Sequence, residues 1–191
     1  MRFPAEFPVI ETPRLVLRGF DLTDARNVQR LAGAREIADT TAQIPHPYED
    51  GLAEQWIAAH AADWAAHRAL PLAVTFRQSG ELAGAAGLTF AGEHARAELG
   101  YWIGVPFWRN GLATEAAGAL VDFGFRVLGL NRVQAHHFAR NPASGRVLLK
   151  LGMKREGASP RFLCKNGRFE DVVFYGVLRR DWPGLGDIPP G

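Results

Sequence analysis

Two hydrophobic periods alternate along the chain, and their order outlines the fold. Arg14-Leu-Val-Leu-Arg18 reads as a strand, and Thr23 is placed to cap a helix beginning at Asp24. Two prolines make Ile44-Pro-His-Pro-Tyr48 a rigid loop. From Asp50 to His67 the positions Leu52, Trp56, Ile57, Ala61 and Trp64 recur at helical spacing, so that face should pack on a sheet. Leu72–Phe76 and Leu82–Phe90 read as strands joined by a short turn through Gln78-Ser-Gly-Glu81, which predicts an antiparallel hairpin. Ala97–Ile103 follows as a strand whose internal Gly100 predicts a bulge or a close backbone approach. A helix is predicted from Leu112 to Leu128, with Ala113, Ala116, Leu120, Phe123 and Val127 on its buried face and Gly129 ending it. A strand at Arg132–Ala139, a short helix opened by Asn141-Pro142 and stopped by Gly152, and a hairpin turning at Asn166-Gly167 complete the order.

Helices alternate with strands in the middle while hairpins lie before and after. This predicts an α/β (α+β mixed) fold with a mixed, mostly antiparallel sheet and disfavours an all-parallel winding. A length of 191 residues with 47% apolar content suits one domain, taken as residues 11–182, followed by a loose proline- and glycine-rich tail at 183–191. The formal net charge is only +2 and both signs are interspersed, so no basic stripe for nucleic acid is expected. Cys164 is the single cysteine, which excludes an internal disulfide and a multi-cysteine zinc site and fits a reducing cytoplasm. No His or carboxylate spacing suggests a metal site. No run approaches the roughly 18 apolar residues of a membrane span, and Met1-Arg-Phe-Pro-Ala-Glu lacks the apolar stretch of a signal peptide, so a cytoplasmic protein without a membrane partner is expected.

The most informative stretch is Ala97 to Ala117, a strand, a tight turn and a helix start. Passage through Arg109-Asn110-Gly111 into a helix at Leu112 leaves several backbone N–H groups unpaired at the positive end of a helix dipole, an arrangement suited to pyrophosphate. The turn lacks the Gly-Lys-Ser/Thr of a nucleotide P-loop, and no G-x-G-x-x-G opens a helix. Coenzyme A then becomes the attractive ligand.

With these residues in hand the chain resembles the GNAT superfamily of acetyl-CoA-dependent N-acetyltransferases, whose pyrophosphate loop carries a Gln/Arg-x-x-Gly-x-Gly/Ala pattern, here within Trp108-Arg-Asn-Gly-Leu-Ala113. It is most similar to the ribosomal-protein-alanine acetyltransferase branch. The resemblance lies in Thr12–Arg18, Glu98–Ile103, Gly111–Glu115, Asn141–Ser144, Leu151–Met153 and Arg179–Trp182. It implies two central strands that splay apart, Ala97–Ile103 and Arg132–Ala139, with the pantetheine arm of acetyl-CoA between them like an added strand. It also implies pantetheine contacts near Ile103 and Val105 and pyrophosphate contacts from Arg109, Asn110, Gly111, Leu112, Ala113 and Thr114. Asn141 is implied as a further cofactor contact, although an N-cap role accounts for it equally well.

Direct acetylation of an amine needs a base, donors for the thioester carbonyl and a proton for the departing thiolate. By resemblance Glu98 is the base, and on a partly buried strand its pKa is expected to be raised. Many superfamily members place a tyrosine acid where this chain has Leu148, so Ser144 is the substitute expected to bond the thiolate. His46 and Tyr48 in the proline-rich loop, Tyr101 on the Glu98 strand and His137 are candidates for the acceptor site, and His136 or His137 for a proton relay. The expected acceptor is a protein N-terminal amine. A small amine (antibiotic, polyamine or amino acid) is the first alternative, and a non-catalytic acyl-CoA-binding regulator the second. Either a monomer or a homodimer is compatible with the sequence.

Overall fold

The structure is a computed structural model and describes residues 1–187. Eight strands run in chain order as β1 (Ile10–Glu11), β2 (Leu15–Arg18), β3 (Ala69–Phe76), β4 (Leu82–Phe90), β5 (Arg96–Ile103), β6 (Arg132–Phe138), β7 (Lys154–Lys165) and β8 (Arg168–Leu178). The helices are α1 (Ala25–Ala32), α2 (Arg35–Thr40), α3 (Leu52–Ala65), α4 (Leu112–Arg126) and α5 (Pro142–Lys150). The strands form one sheet in the order β1-β2-β3-β4-β5-β6-β8-β7. Only β5 and β6 pair in parallel; the sheet is the mixed one expected.

Strand alternation builds a core on each face. Leu72 and Val74 of β3 and Ala83 of β4 join the larger cluster around Ala116, Leu120 and Val121 of α4. Ala73 and Leu82 point the other way, into a smaller cluster with Val28 and Leu31 of α1 and Ala53 and Ile57 of α3. On α3 the buried stripe is Ala53, Ile57, His60 and Trp64, whereas Trp56 is partly exposed; the stripe is rotated from the predicted one because β3 and α1 flank the helix on different sides. On α4, Val127 is likewise exposed and lies beyond the last helical residue.

Local chemistry sets most boundaries. Gly129 and Gly152 adopt φ of +72° and +71°, values that favour glycine. Asn166 and Gly167, at +49° and +76°, make the turn between β7 and β8. Asn141 caps α5 with its side-chain oxygen, ahead of Pro142. Thr23 does not cap the first helix: Asp21 accepts from the Thr23 N–H at 2.8 Å and Asp24 accepts from the Asp21 N–H at 2.9 Å, a reciprocal box that starts a 3-10 turn before α1. No bulge occurs at Gly100, which pairs in register with Gly87. Of the expected tail, residues 188–191 lie outside the described residues. Among the described residues no helix is long and apolar enough to cross a membrane.

Candidate active site

The parallel pairing of β5 with β6 lasts for three rungs, from Arg96–Arg132 to Glu98–Gln134. Beyond Glu98 the strands separate, while β5 stays paired with β4 out to Ile103 and β6 with β8 out to Phe138. The gap therefore comes from divergence of β6 and needs no bulge at Gly100. The alternation of an antiparallel ladder directs the backbone groups of Leu99, Tyr101 and Ile103 toward this gap.

At the wide end the chain turns through Val105–Phe107 into the start of α4. Arg109 and Gly111 have φ of +64° and +73°, and Gly111 provides no side-chain cap. Among the described residues nothing accepts from the N–H groups of Arg109, Asn110, Gly111, Leu112, Ala113 or Thr114; the first helical bond is Glu115 to the Gly111 carbonyl. Six donors thus converge at a helix N-terminus, which fits a diphosphate. The Val105 N–H is also without an acceptor. The Ile103 carbonyl, by contrast, already accepts from the Trp108 indole at 2.6 Å. From the turn between β1 and β2 the cradle is braced by Arg14, which donates to the Asn110 carbonyl at 2.8 Å and to Glu115 at 2.6 Å, while Thr12 donates to Glu115 at 2.6 Å.

One sheet face of the gap is neutral. Tyr101 reaches under α5, its hydroxyl 2.9 Å from Ser144 Oγ. Burial pushes the phenol up to about 12, with the Ser144 bond acting the other way. Asn141 Oδ1 accepts from the Ser144 N–H. Leu148 is fully buried in the α4 core. His137, on the same face, is buried with Nδ1 2.7 Å from the Phe138 carbonyl, its Nε2 without a hydrogen-bond partner. A Cβ on Gly145 would lie 2.7 Å from that nitrogen, so α5 rests on the histidine. Tyr101 and His137, both candidates for the acceptor site, lie on the α5 side of the sheet.

The opposite face is charged. Glu98 Oε1 is 3.0 Å from His136 Nδ1, and Oε2 accepts from Gln134 at 3.3 Å. The His136 hydrogen bond is the largest influence on Glu98 and holds its carboxyl below the ordinary 4.5 although burial opposes this; the expected upward shift is not found. These groups line a cleft of about 50 Å³ with Glu156, Phe174 and Tyr175. Arg132 and Glu156 pair with one another beside it. Neither His46 nor Tyr48 reaches Glu98, His136 or Ser144 through a hydrogen bond: His46 Nδ1 is 3.0 Å from the Gly33 carbonyl, and Tyr48 packs on the α1–α3 cluster. Their loop is instead tied to the tip of the β7–β8 hairpin, where Lys165 donates to the carbonyls of Thr41 at 2.5 Å and Ile44 at 2.6 Å. Cys164 is exposed. Among the described residues no group of three His, Cys, Asp or Glu side chains could hold a metal ion.

Residues 14–154 match the acetyltransferase (GNAT) domain family. The chain belongs to the GNAT acetyltransferase family. It is 33% identical to the N-acetyltransferase YoaA of Bacillus subtilis (strain 168) over 174 residues, 91% of this chain and 98% of the relative. It is also 33% identical to the ribosomal protein uS5-alanine N-acetyltransferase of Escherichia coli (strain K12) over 87 residues, 45% of either chain. In fold it is similar to Mycobacterium smegmatis RimJ in complex with CoA-disulfide, with a TM-score of 0.85, 21% identity and coverage of 97% of this chain and 94% of that one. The chain is thus an N-acetyltransferase with Rim-like relatives. Within this GNAT frame, Gln134, the Arg14–Glu115 brace and the Lys165 clasp are the parts that sequence reasoning missed. Gln134 was findable, since it alternates with His136 on one strand face; the brace and clasp join residues about a hundred positions apart and leave no local signal.

Proposed function

We propose that the chain transfers acetyl from acetyl-CoA directly to the N-terminal amine of a protein. The observation that carries this reading is the run of six unengaged N–H donors at Arg109–Thr114 beside an open gap between parallel strands. The Arg109–Thr114 donors hold the pyrophosphate, and the N–H groups of Ile103 and Val105 hold the pantetheine arm as an added strand. Bound there, acetyl-CoA supplies an activated thioester. Glu98 and His136 serve the acceptor side as the acid–base unit. Ser144, backed by the Tyr101 phenol, donates a hydrogen bond to the departing thiolate, the task for which Leu148 carries no polar group. Asn141 acts chiefly as the α5 cap that sets the Ser144 orientation.

A protein terminus is favoured over a polycationic small amine because the acceptor cleft is not strongly acidic. Its two carboxylates, Glu98 and Glu156, face His136 and Arg132 respectively. The Rim-like relatives agree with this choice. A thiol-release assay with acetyl-CoA, comparing short peptides of differing N-terminal residue with spermidine and free amino acids, tests it. Turnover confined to peptides is the expected result. Preference for spermidine would move the reading to a small-amine enzyme, and tight acetyl-CoA binding without turnover of any amine would make the chain an acyl-CoA-dependent regulator.

A further inference from the structure

Glu98 is a poorer proton acceptor than its position suggests. Both of its oxygens are engaged, one by His136 and one by Gln134, and the His136 contact depresses its basicity. An ionised carboxylate can only accept a hydrogen bond, so the hydrogen between Glu98 Oε1 and His136 Nδ1 belongs to the imidazole. In the neutral ring the lone pair then lies on Nε2. His136 sits two residues past Gln134, the last rung of the parallel pairing, where the strands have just parted. Its side chain is 24% exposed, lines the small cleft beside Glu98, and has no buried unsatisfied nitrogen.

We propose that Nε2 of His136 is the atom that takes the proton from the acceptor amine, with Glu98 as the positioning residue that fixes the tautomer and the ring. The inference rests on the acetyltransferase reading above and names the proton acceptor within it. The charged groups around the ring are Glu98 and Arg96 of β5, Arg132 of β6 itself and Glu156 of β7. Arg96 acts on the carboxylate of Glu98, and Arg132 and Glu156 are paired with each other. From β8 the ring of Phe174 lies 6.0 Å away, and Tyr175 also lines the cleft.

The protons and bonds balance as follows. His136 Nε2 removes one proton from the ammonium of the acceptor and later returns it to solvent. The freed amine forms a C–N bond to the acetyl carbonyl carbon while the C–S bond breaks. The second proton lost from nitrogen equals the one that the departing thiolate gains, through the Ser144 hydroxyl or from water. The net products are an acetamide, free thiol and one released proton.

Two measurements on the full chain test this. Nitrogen NMR of the unliganded protein should find neutral His136 protonated on Nδ1; protonation on Nε2 overturns the proposal. Turnover is then followed with acetyl-CoA and two acceptor probes, a short peptide with N-terminal alanine and spermidine. His136→Ala should lower kcat at least about 100-fold with little change in KM for acetyl-CoA, and added imidazole should restore part of the loss. His136→Gln keeps a hydrogen-bonding group for Glu98 but cannot take up a proton, so it should be as slow as His136→Ala while folding normally. Glu98→Gln should cost less, about 30-fold, and gain nothing from imidazole. The proposal fails if His136→Gln turns over at the wild-type rate, or if Glu98→Gln is the slower variant. Absence of wild-type turnover with both probes instead overturns the acetyltransferase reading on which it rests.

Discussion

The two sides of the β5–β6 gap are built from the same strands yet treat charge in opposite ways. On the α5 side a phenol and a hydroxyl, Tyr101 and Ser144, bond each other in a half-buried place that keeps the phenol protonated. On the other side an ionised carboxylate and an imidazole, Glu98 and His136, meet at a cleft of about 50 Å³. Strand alternation alone produces this division, because Glu98 and Tyr101 differ in parity along β5. The difference teaches where each proton task belongs: different surroundings keep the phenol neutral and the carboxylate ionised, and a sheet with a gap places the two on opposite faces, one layer of backbone apart.

The sharpest way to break the comparison is to move the phenol. Leu148→Tyr restores the superfamily's usual residue type, but Leu148 has no exposed surface. We expect about 3 kcal/mol of destabilisation by denaturant unfolding, from overpacking and a buried hydroxyl, with no gain in kcat. A folded variant with faster turnover would show that α5 can still host the acid. Next, on the charged side, Glu98→Gln should lower kcat about 30-fold, or about 2 kcal/mol, while calorimetry shows acetyl-CoA affinity unchanged. A matching loss of affinity would mean that the two sides are not separate. On the neutral side, Tyr101→Phe should reduce kcat about tenfold and leave the acceptor KM unchanged in steady-state kinetics.

The smallest expected effect concerns the brace of the cradle. Burial alone would raise the Glu115 carboxyl, but the Thr12 hydroxyl and the Arg14 N–H and guanidinium outweigh it and hold it below 4.5. A depressed folded value stabilises the fold above the unfolded value and loses that contribution as pH falls through the folded one. Glu115→Gln should therefore lower the melting temperature by a few degrees at pH 7, and the difference from wild type should close as the pH drops below 4.5. A difference that persists in acid would assign the loss to packing.

What the sequence reveals, and what it hides, divides along the same line. The left-handed glycines, the Asn166-Gly167 turn and the Asn141-Pro142 start announce element boundaries because each acts through its own backbone. The cradle was legible for the same reason: its donors are main-chain groups at a helix start. The side of the sheet on which Tyr101 and His137 fall was not, since it follows from the register of β5 against β4 and from α5 crossing β6. Thr23 misled because Asp21, two residues earlier, is an equally good cap and has Asp24 in place to complete the box. The direction of the Glu98 shift depended on His136 and Gln134, residues on another strand. Short α2, with no side-chain cap bond, gave no signal.

The three-rung pairing of β5 with β6 has a mechanical consequence. Among the described residues the sheet is two leaves, β1–β5 and β6–β8, stitched strand to strand by backbone from Ala95 to Glu98 on one side and from Asn131 to Gln134 on the other. Anything that spans the opening acts as a splint, and its binding free energy is added to the cohesion of the leaves. At a free concentration 100 times its Kd such a molecule contributes about 2.7 kcal/mol. Resistance of the leaves to separation is therefore set by the supply of the ligand as well as by the chain.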